Sequence, residues 1–264
     1  MKFALNLSLI EGISEKKAKK YNTFRRLESI VAVGVENISD FYDIISNFDH
    51  RDFVKESLNL YYIGTWDVND VCLVALQPYG LVDLENKNED FEYFTYRHLN
   101  QGKLKENISP LIKEYPEGDY ARAGENPILS SKVCNLLKIS DNDKIPVFKS
   151  NQLCQWFSIK TKYNNYLCSV SADIRPIKDI NGIEFYRTLG MWFARCPDLG
   201  FSYGFDNLNT GSKGINKTLL VSTQVYQNLK KNKCKCVYEP VFSETSKLYE
   251  DVNDLLQYWR AKFI

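Results

Sequence analysis

Pro127-Ile128-Leu129-Ser130-Ser131-Lys132-Val133-Cys134-Asn135-Leu136-Leu137-Lys138 and Leu219-Leu220-Val221-Ser222-Thr223-Gln224-Val225-Tyr226-Gln227-Asn228-Leu229-Lys230 share Ser, Val, Leu and Lys in register. Each segment is followed by Pro-Val-Phe, at Pro146-Val147-Phe148 and Pro240-Val241-Phe242. Each reads as a short apolar strand, a Ser at a helix start, a helix, and a strand or loop ending in Pro-Val-Phe. Val133 and Leu137 are placed to share one helical face, as are Val225 and Leu229. The Ser side chains read as N-caps that satisfy orphan backbone donors, each worth about 1 kcal/mol. A nucleophilic role finds no His near either Ser in sequence. Helices and strands mix along the chain without strict alternation. This predicts an α+β fold: a mixed, largely antiparallel sheet with flanking helices and a candidate internal repeat in the C-terminal half.

Outward from these segments, the Pro-, Gly- and charge-containing run 114–126 is the best candidate boundary. It divides the chain into an N-terminal α+β region (1–120) and a C-terminal one (121–264), which also fit one compact domain. In the N-terminal region, Ala18, Tyr21, Phe24 and Leu27 predict a basic-faced helix over Ser14–Ile30. A second helix is expected from Asp40 to Phe48, capped by Ser39, with Phe41, Ile44, Ile45 and Phe48 as its apolar stripe. Leu58–Ile63 and Val71–Leu76 read as strands, Asp83–Glu92 as an exposed acidic loop, and Leu104–Tyr115 as a helix if Pro110 sits in its first turn. Beyond the boundary, strands are expected at Leu153–Ile159 and Tyr166–Ile174, with Asn164-Asn165 turning between them. Another is expected at Ile183–Arg195, bent near Gly190, and one more at Cys234–Val241. An amphipathic helix closes the chain from Ser246 to Phe263, burying Leu248, Val252, Leu255, Leu256 and Trp259.

The 264 residues carry 34 basic and 33 acidic side chains, a net charge of +1, and 44% hydrophobic residues. That balance suits a globular protein that folds without staples and lacks the basic excess of a dedicated nucleic-acid binder. Seven Cys at irregular spacing in a chain of this length argue against a secreted disulfide scaffold. No apolar run approaches the ~20 residues needed to span a bilayer. The short apolar start is broken by Glu11 and does not read as a signal peptide. A cytoplasmic location, with no membrane partner, is the expectation.

Motifs that would carry catalysis are weak. Cys234-Lys235-Cys236 is not the usual zinc spacing, and alternation on a strand would turn both thiols to one face. No metal or other cofactor is expected. His50 lies between Asp49 and Asp52, as an acid–base pair or as a polar helix end; His98 has no evident partner. Asp173, Asp179 and Glu184, with Lys178, match no nuclease spacing. Thr210-Gly211-Ser212-Lys213-Gly214 resembles part of an anion loop without the Walker pattern.

Surface features are more suggestive. The irregular stretch Asp198–Gly214 interleaves Gly with Phe201, Tyr203 and Phe205, followed by Asp206. These are candidate interface anchors or residues alternating inward on a strand. Asp83, Glu85, Glu89 and Asp90 are candidate contacts to a basic partner. Lys16, Lys17, Lys19, Lys20, Lys230, Lys231 and Lys233 are candidate contacts to nucleic acid or solvated helix faces.

Leu220-Val221-Ser222, a helix, and Glu239-Pro240-Val241 together resemble the C-terminal signature of bacterial immunity proteins of polymorphic toxin systems. The resemblance covers residues 127–242. The chain departs from it in lacking the usual Gly before the final strand and in adding a long C-terminal helix. The resemblance implies a non-catalytic, cytoplasmic inhibitor that occludes a specific toxin or effector. The alternative expectation is a component of a nucleic-acid-binding or phage-defence complex.

Overall fold

The chain opens with Phe3-Ala4-Leu5-Asn6-Leu7-Ser8-Leu9 and continues at Ile30-Val31-Ala32-Val33-Gly34-Val35, two runs whose aliphatic residues fit a pleated, half-buried surface. The computed structural model describes residues 2–9, 17, 20–21, 23–27, 30–86, 91–96, 99–105, 108–124, 126–159, 177–178, 184–188, 191–195 and 219–263. Its strands are β1 (Phe3–Leu9), β2 (Thr23–Leu27), β3 (Ile30–Val35), β4 (Phe53–Tyr62), β5 (Leu73–Gln77) and β6 (Gly80–Leu81). There follow β7 (Phe91–Tyr96), β8 (Leu99–Leu104), β9 (Tyr120–Ala123), β10 (Asn126–Ser130), β11 (Lys144–Lys149) and β12 (Gln152–Ile159). The last are β13 (Ile177–Lys178), β14 (Glu184–Thr188), β15 (Met191–Arg195), β16 (Leu219–Ser222) and β17 (Val237–Ser243). The α-helices are α1 (Asp40–Ser46), α2 (Ser131–Leu136), α3 (Thr223–Lys231) and α4 (Lys247–Phe263).

The strands form sheets ordered β2-β3-β1-β4, β11-β12-β10-β9-β6 and β13-β14-β15-β17-β5-β16, with β7 and β8 as a separate antiparallel ribbon. Pairing is antiparallel except for β15 with β17 and β6 with β9. Mixed sheets flanked by helices make the fold α+β, as the sequence pattern predicts.

The two matched segments build similar local arrangements in two different sheets. The Ser130 hydroxyl accepts from the Val133 N–H at 3.3 Å, and the Ser222 hydroxyl accepts from the Val225 N–H at 3.3 Å. β10 and β11 flank β12, with Leu129 and Pro146 both opposite Phe157. β16 and β17 flank β5, with Val221 and Pro240 both opposite Val74. Each helix is followed by a Lys in the left-handed region, Lys138 at φ 54° and Lys233 at φ 53°. The next N–H reaches back over the last turn: Ile139 to the Cys134 carbonyl and Cys234 to the Leu229 carbonyl, each at 3.0 Å. That is the hydrogen bond of a Schellman C-cap. The likeness is local. The middle strand follows the first segment directly, but for the second it comes from far upstream, so a repeat of the whole unit is not shown.

One buried cluster draws on both sides of residues 114–126, from Phe3, Leu5 and Phe41 to Val133, Leu229, Trp259 and Phe263. A second lies around Leu84, Ile112, Ile128 and Val147. Within 114–126, the Asp119 N–H donates to the Lys235 carbonyl at 2.8 Å and its carboxylate accepts from the Lys235 N–H at 2.7 Å. The same carboxylate accepts from the Ser130 hydroxyl at 2.8 Å. Asp119 therefore joins the cap of the first segment to the chain just after the second helix. Helix α4 buries Val252, Leu255, Leu256, Trp259 and Phe263, each contributing about 2 kcal/mol over an exposed side chain.

Several local expectations are corrected. Thr23–Leu27, expected within a helix, is β2, because the neighbouring run Ile30–Val35 offers a strand to pair with, Leu27 opposite Ile30; pairing overrides the three-residue spacing. Ser39 makes no side-chain cap; the Asp40 carboxylate accepts from the Asn37 N–H at 3.1 Å instead. The helix expected at Leu104–Tyr115 is absent from its described residues. Around Pro110 the chain is extended, with Leu111 bridged to Phe148 and Ile112 to Leu84. Leu84 is thereby buried in what reads as an acidic loop. Ile183–Arg195 contains two strands, with Thr188 opposite Met191, where one bent strand is expected. The strand expected at Tyr166–Ile174, the turn at Asn164-Asn165 and the stretch Asp198–Gly214 lie outside the described residues.

Candidate functional site

A groove of about 500 Å³ opens where five separated stretches of the chain meet. The edge-to-face rings of Phe3 and Tyr62 (5.3 Å between centroids) and the tilted pair Tyr62–Phe242 (5.3 Å) make its aromatic floor. Glu36 to Ser39 and Tyr42 of α1 line one side, and Ser246, just before α4, with Leu248, Asp251 and Asp254 in its first half line the other. Asp70, at the end of the turn Val68–Asp70, closes one side.

Local sequence explains how these side chains are held. Phe41, Ile44 and Ile45 are buried and anchor α1 to the core, leaving Tyr42 turned to the groove. Tyr42 meets Tyr258 of α4 at 5.0 Å, which braces the two walls. Asp67 starts the turn before Asp70 by accepting from the Asn69 N–H at 2.9 Å. The Ser246 hydroxyl accepts from the Tyr249 N–H at 3.2 Å and sets the first turn of α4. Asp251 and Asp254, one turn apart, then face the groove together.

The lining is strongly acidic. Glu36, Asp70, Asp251 and Asp254 stand against one lysine, Lys2. Lys247, exposed just outside, bridges Asp251 at 3.0 Å and Glu250 at 3.3 Å. Burial first, then the Asp254 and Asp251 carboxylates, push the Tyr42 hydroxyl above the usual tyrosine range. Burial, then Asp70, does the same for Tyr62. Both phenols therefore remain hydrogen-bond donors; the Tyr62 hydroxyl donates to the Thr65 carbonyl at 3.1 Å. Hydroxyl donors, ring faces and carboxylates together can hold a cationic or amphipathic group.

A smaller hollow of about 350 Å³ lies among Asp49, His50, Arg51, Lys262 and Phe263. It sets one carboxylate, Asp49, against two cations, Arg51 and Lys262. The Lys262 ammonium donates to the carbonyls of Ile45 and Ser46 at 2.9 and 2.8 Å, closing the end of α1. His50 packs edge-on against Phe263 at 5.4 Å. The neighbouring Asp52 carboxylate is buried and accepts from Lys17 at 2.6 Å and from the Asp49 N–H at 2.7 Å. That carboxylate holds the N-terminal segment to the core.

The sequence-derived candidates distribute as follows. Phe201, Tyr203, Phe205, Asp206, Glu89, Asp90, Lys16 and Lys19 lie outside the described residues, as do His98, Asp173, Asp179 and Thr210–Gly214. Asp83 and Glu85 are exposed on either side of buried Leu84. They do not line the groove. Lys17 is tied to Asp52, and Lys20 is exposed. Lys230, Lys231 and Lys233 are exposed at the end of α3, where cations complement the helix dipole. Lys230 also stacks 5.5 Å from the Tyr238 ring. Cys234 and Cys236 are both buried, and burial pushes the Cys236 thiol up to about 12. The thiols are thus held protonated. Among the described residues no three His, Cys, Asp or Glu gather as a metal site, and no helix is long and apolar enough to cross a membrane.

Sequence reasoning missed the groove because its lining comes from residues 2–3, 36–42, 62, 70 and 242–254. The one local signal is the acidic face of α4, which also reads as a solvated face. No protein-family model, curated protein or solved structure matches the chain.

Proposed function

We propose that this chain is a non-catalytic protein-binding module, of the immunity or inhibitor kind, that occludes a toxin or effector in the cytoplasm. The observation that carries this reading is the braced, open groove with an aromatic floor and an acidic rim. Rigid aromatic anchors surrounded by polar groups are what tight protein interfaces use. The immunity-protein resemblance over residues 127–242 supports it. The residues that carry that resemblance are scaffold: Ser222 caps α3, Val241 is buried, and Glu239 accepts from the Trp192 indole at 2.7 Å and from Gln77 at 3.2 Å. They hold the fold from which a binding surface is presented.

The test is co-expression with the product of the adjacent gene. A stoichiometric complex that restores growth of cells expressing that product is expected. A neighbour that neither co-purifies nor is neutralised counts against the reading. The exposed lysines Lys230, Lys231 and Lys233 favour the alternative of a nucleic-acid-binding or defence complex. Salt-sensitive binding of RNA that is lost in a triple Lys→Gln variant would support it instead.

A further inference from the structure

We infer that the occupant of the groove is an arginine- or lysine-bearing segment of the partner protein, seated with its cations over the aromatic floor. This rests on the inhibitor reading above and names the partner chemistry that reading leaves open. The groove's lining sets carboxylates from three separate parts of the chain, Glu36, Asp70 and the Asp251–Asp254 pair, around the Tyr42 and Tyr62 rings and Lys2, with Lys247 just outside bridging Asp251 at 3.0 Å. A cation entering it meets carboxylates, which hold guanidinium by charge-assisted hydrogen bonds. Tyr42 and Tyr62 also line it, and aromatic rings attract cations through their quadrupole. Neither surface suits a phosphate or a carboxylate, so the groove repels nucleic acid.

Its walls are fixed before any partner arrives. Tyr42 is packed on Tyr258, and Tyr62 on Phe3 and Phe242. Little ordering therefore opposes binding. A volume of about 500 Å³ holds a few side chains rather than a whole domain, so the partner must reach in with a loop or a helix end. Proteins that act on nucleic acids carry such cationic segments at the surfaces that grip phosphate. Filling the groove with one would both anchor the partner and remove that segment from its substrate.

The test uses fluorescence anisotropy of a labelled arginine–glycine peptide on the full chain, with a glutamate–glycine peptide and a single-stranded RNA as comparators. The groove variant is Asp70→Asn, Asp251→Asn, Asp254→Asn. The control, with the same change in charge, is Asp83→Asn, Glu85→Gln, Glu117→Gln, at exposed carboxylates outside the groove. The expected result is salt-sensitive binding of the arginine peptide alone. The groove variant should weaken it about tenfold, in line with three rim charges acting together, and the control less than about twofold. Equal losses in both variants, no loss in either, or preference for RNA or the acidic peptide would overturn the inference. Thermal denaturation of both variants checks that each is folded, and Tyr62→Leu supplies an independent variant that removes the cation-binding ring while leaving every carboxylate. The co-expression assay separates the two levels: a groove variant that still neutralises the partner as the parent does leaves the inhibitor reading standing and removes this one.

Discussion

Alanine in place of glycine at three positions should give three different answers. A Cβ at Gly118 would lie 2.5 Å from the Tyr79 Cβ, 2.7 Å from the Tyr79 Cγ and 2.7 Å from the Lys235 carbonyl oxygen. The carbonyl cannot retreat freely, because it accepts from the Asp119 N–H and the Lys235 N–H is held by the Asp119 carboxylate. Overpacking of this kind costs about 1–3 kcal/mol, and weakening the two hydrogen bonds adds about 1 kcal/mol. Gly118→Ala is thus expected to cost about 3 kcal/mol, or roughly 6–12 °C in Tm for a chain of this size. At Gly64 the new atom would meet the Lys2 Cα at 3.2 Å and its Cγ at 3.3 Å. A flexible side chain and a strand start can give by a few tenths of an ångström, so the cost should stay below about 1 kcal/mol. At Gly80 nothing lies within 4 Å. Alanine there should be neutral or stabilise by up to about 1 kcal/mol by restricting the unfolded chain. Urea titrations of the three variants would show the order. A Gly118→Ala protein within about 1 kcal/mol of the parent would refute the claim that residues 114–126 are clamped between the two halves.

Lys233→Gly should raise stability by about 1 kcal/mol, since φ 53° is costly for lysine and free for glycine; a loss in the same titration would count against the Schellman geometry. Ser222→Ala should lower stability by about 1 kcal/mol as the α3 cap is lost. Ser130→Ala should cost about 2 kcal/mol, because it also removes the donor to Asp119. Equal effects would show that the Asp119 bond contributes nothing. Stability should fall at alkaline pH. Burial first of all lifts the Cys134 and Cys236 thiols to about 12, so the folded state keeps protons that the unfolded chain releases above about pH 9. Their contribution is complete below that pH and is lost as pH rises toward about 12, at about 1.4 kcal/mol per pH unit for each thiol. Urea midpoints measured across this range in the parent and in Cys134→Ala, Cys236→Ala would show it; an unchanged slope would refute it.

How much of this was legible in the sequence depended on whether local or distant residues decide an element. The capped helices after Leu129 and Val221, the stripe of Phe41, Ile44 and Ile45, and the buried face of α4 follow from residues within two turns of one another, and each is found where its pattern places it. Thr23–Leu27 and Leu104–Tyr115 are decided by partners elsewhere, Ile30–Val35 for one and Phe148 and Leu84 for the other. No local periodicity carries that information. The left-handed Lys138 and Lys233 were hidden for a related reason. Lysine is not the residue that signals such a turn, and the geometry is imposed by the burial of Ile139 and Cys234 immediately after. The groove was the least legible of all, since Asp251 and Asp254 are read as wetted until Tyr42, Tyr62 and Asp70 are seen opposite them.

For the proposed partner-binding role, that separation has a physical consequence. Of the residues lining the groove, Phe242 alone belongs to the stretch 127–242 on which the proposed resemblance rests. The caps, the Pro-Val-Phe strands and the Asp119 link are constrained by packing and hydrogen bonds, where a substitution costs stability directly. Glu36 and Asp70 are exposed at the ends of elements and Asp254 is exposed midway along α4, where the anchoring is done by other residues, Phe41, Ile44, Leu255 and Leu256 among them. Exposed carboxylates such as Asp254 can be exchanged within about 0.5 kcal/mol of stability, and Asp70→Asn keeps an acceptor for the Asp67 N–H. If the groove is the proposed binding site, a change of partner charge can be met at the rim without touching the scaffold, so affinity and stability should vary independently: groove substitutions move the first, and Ser130, Asp119 and Gly118 move the second.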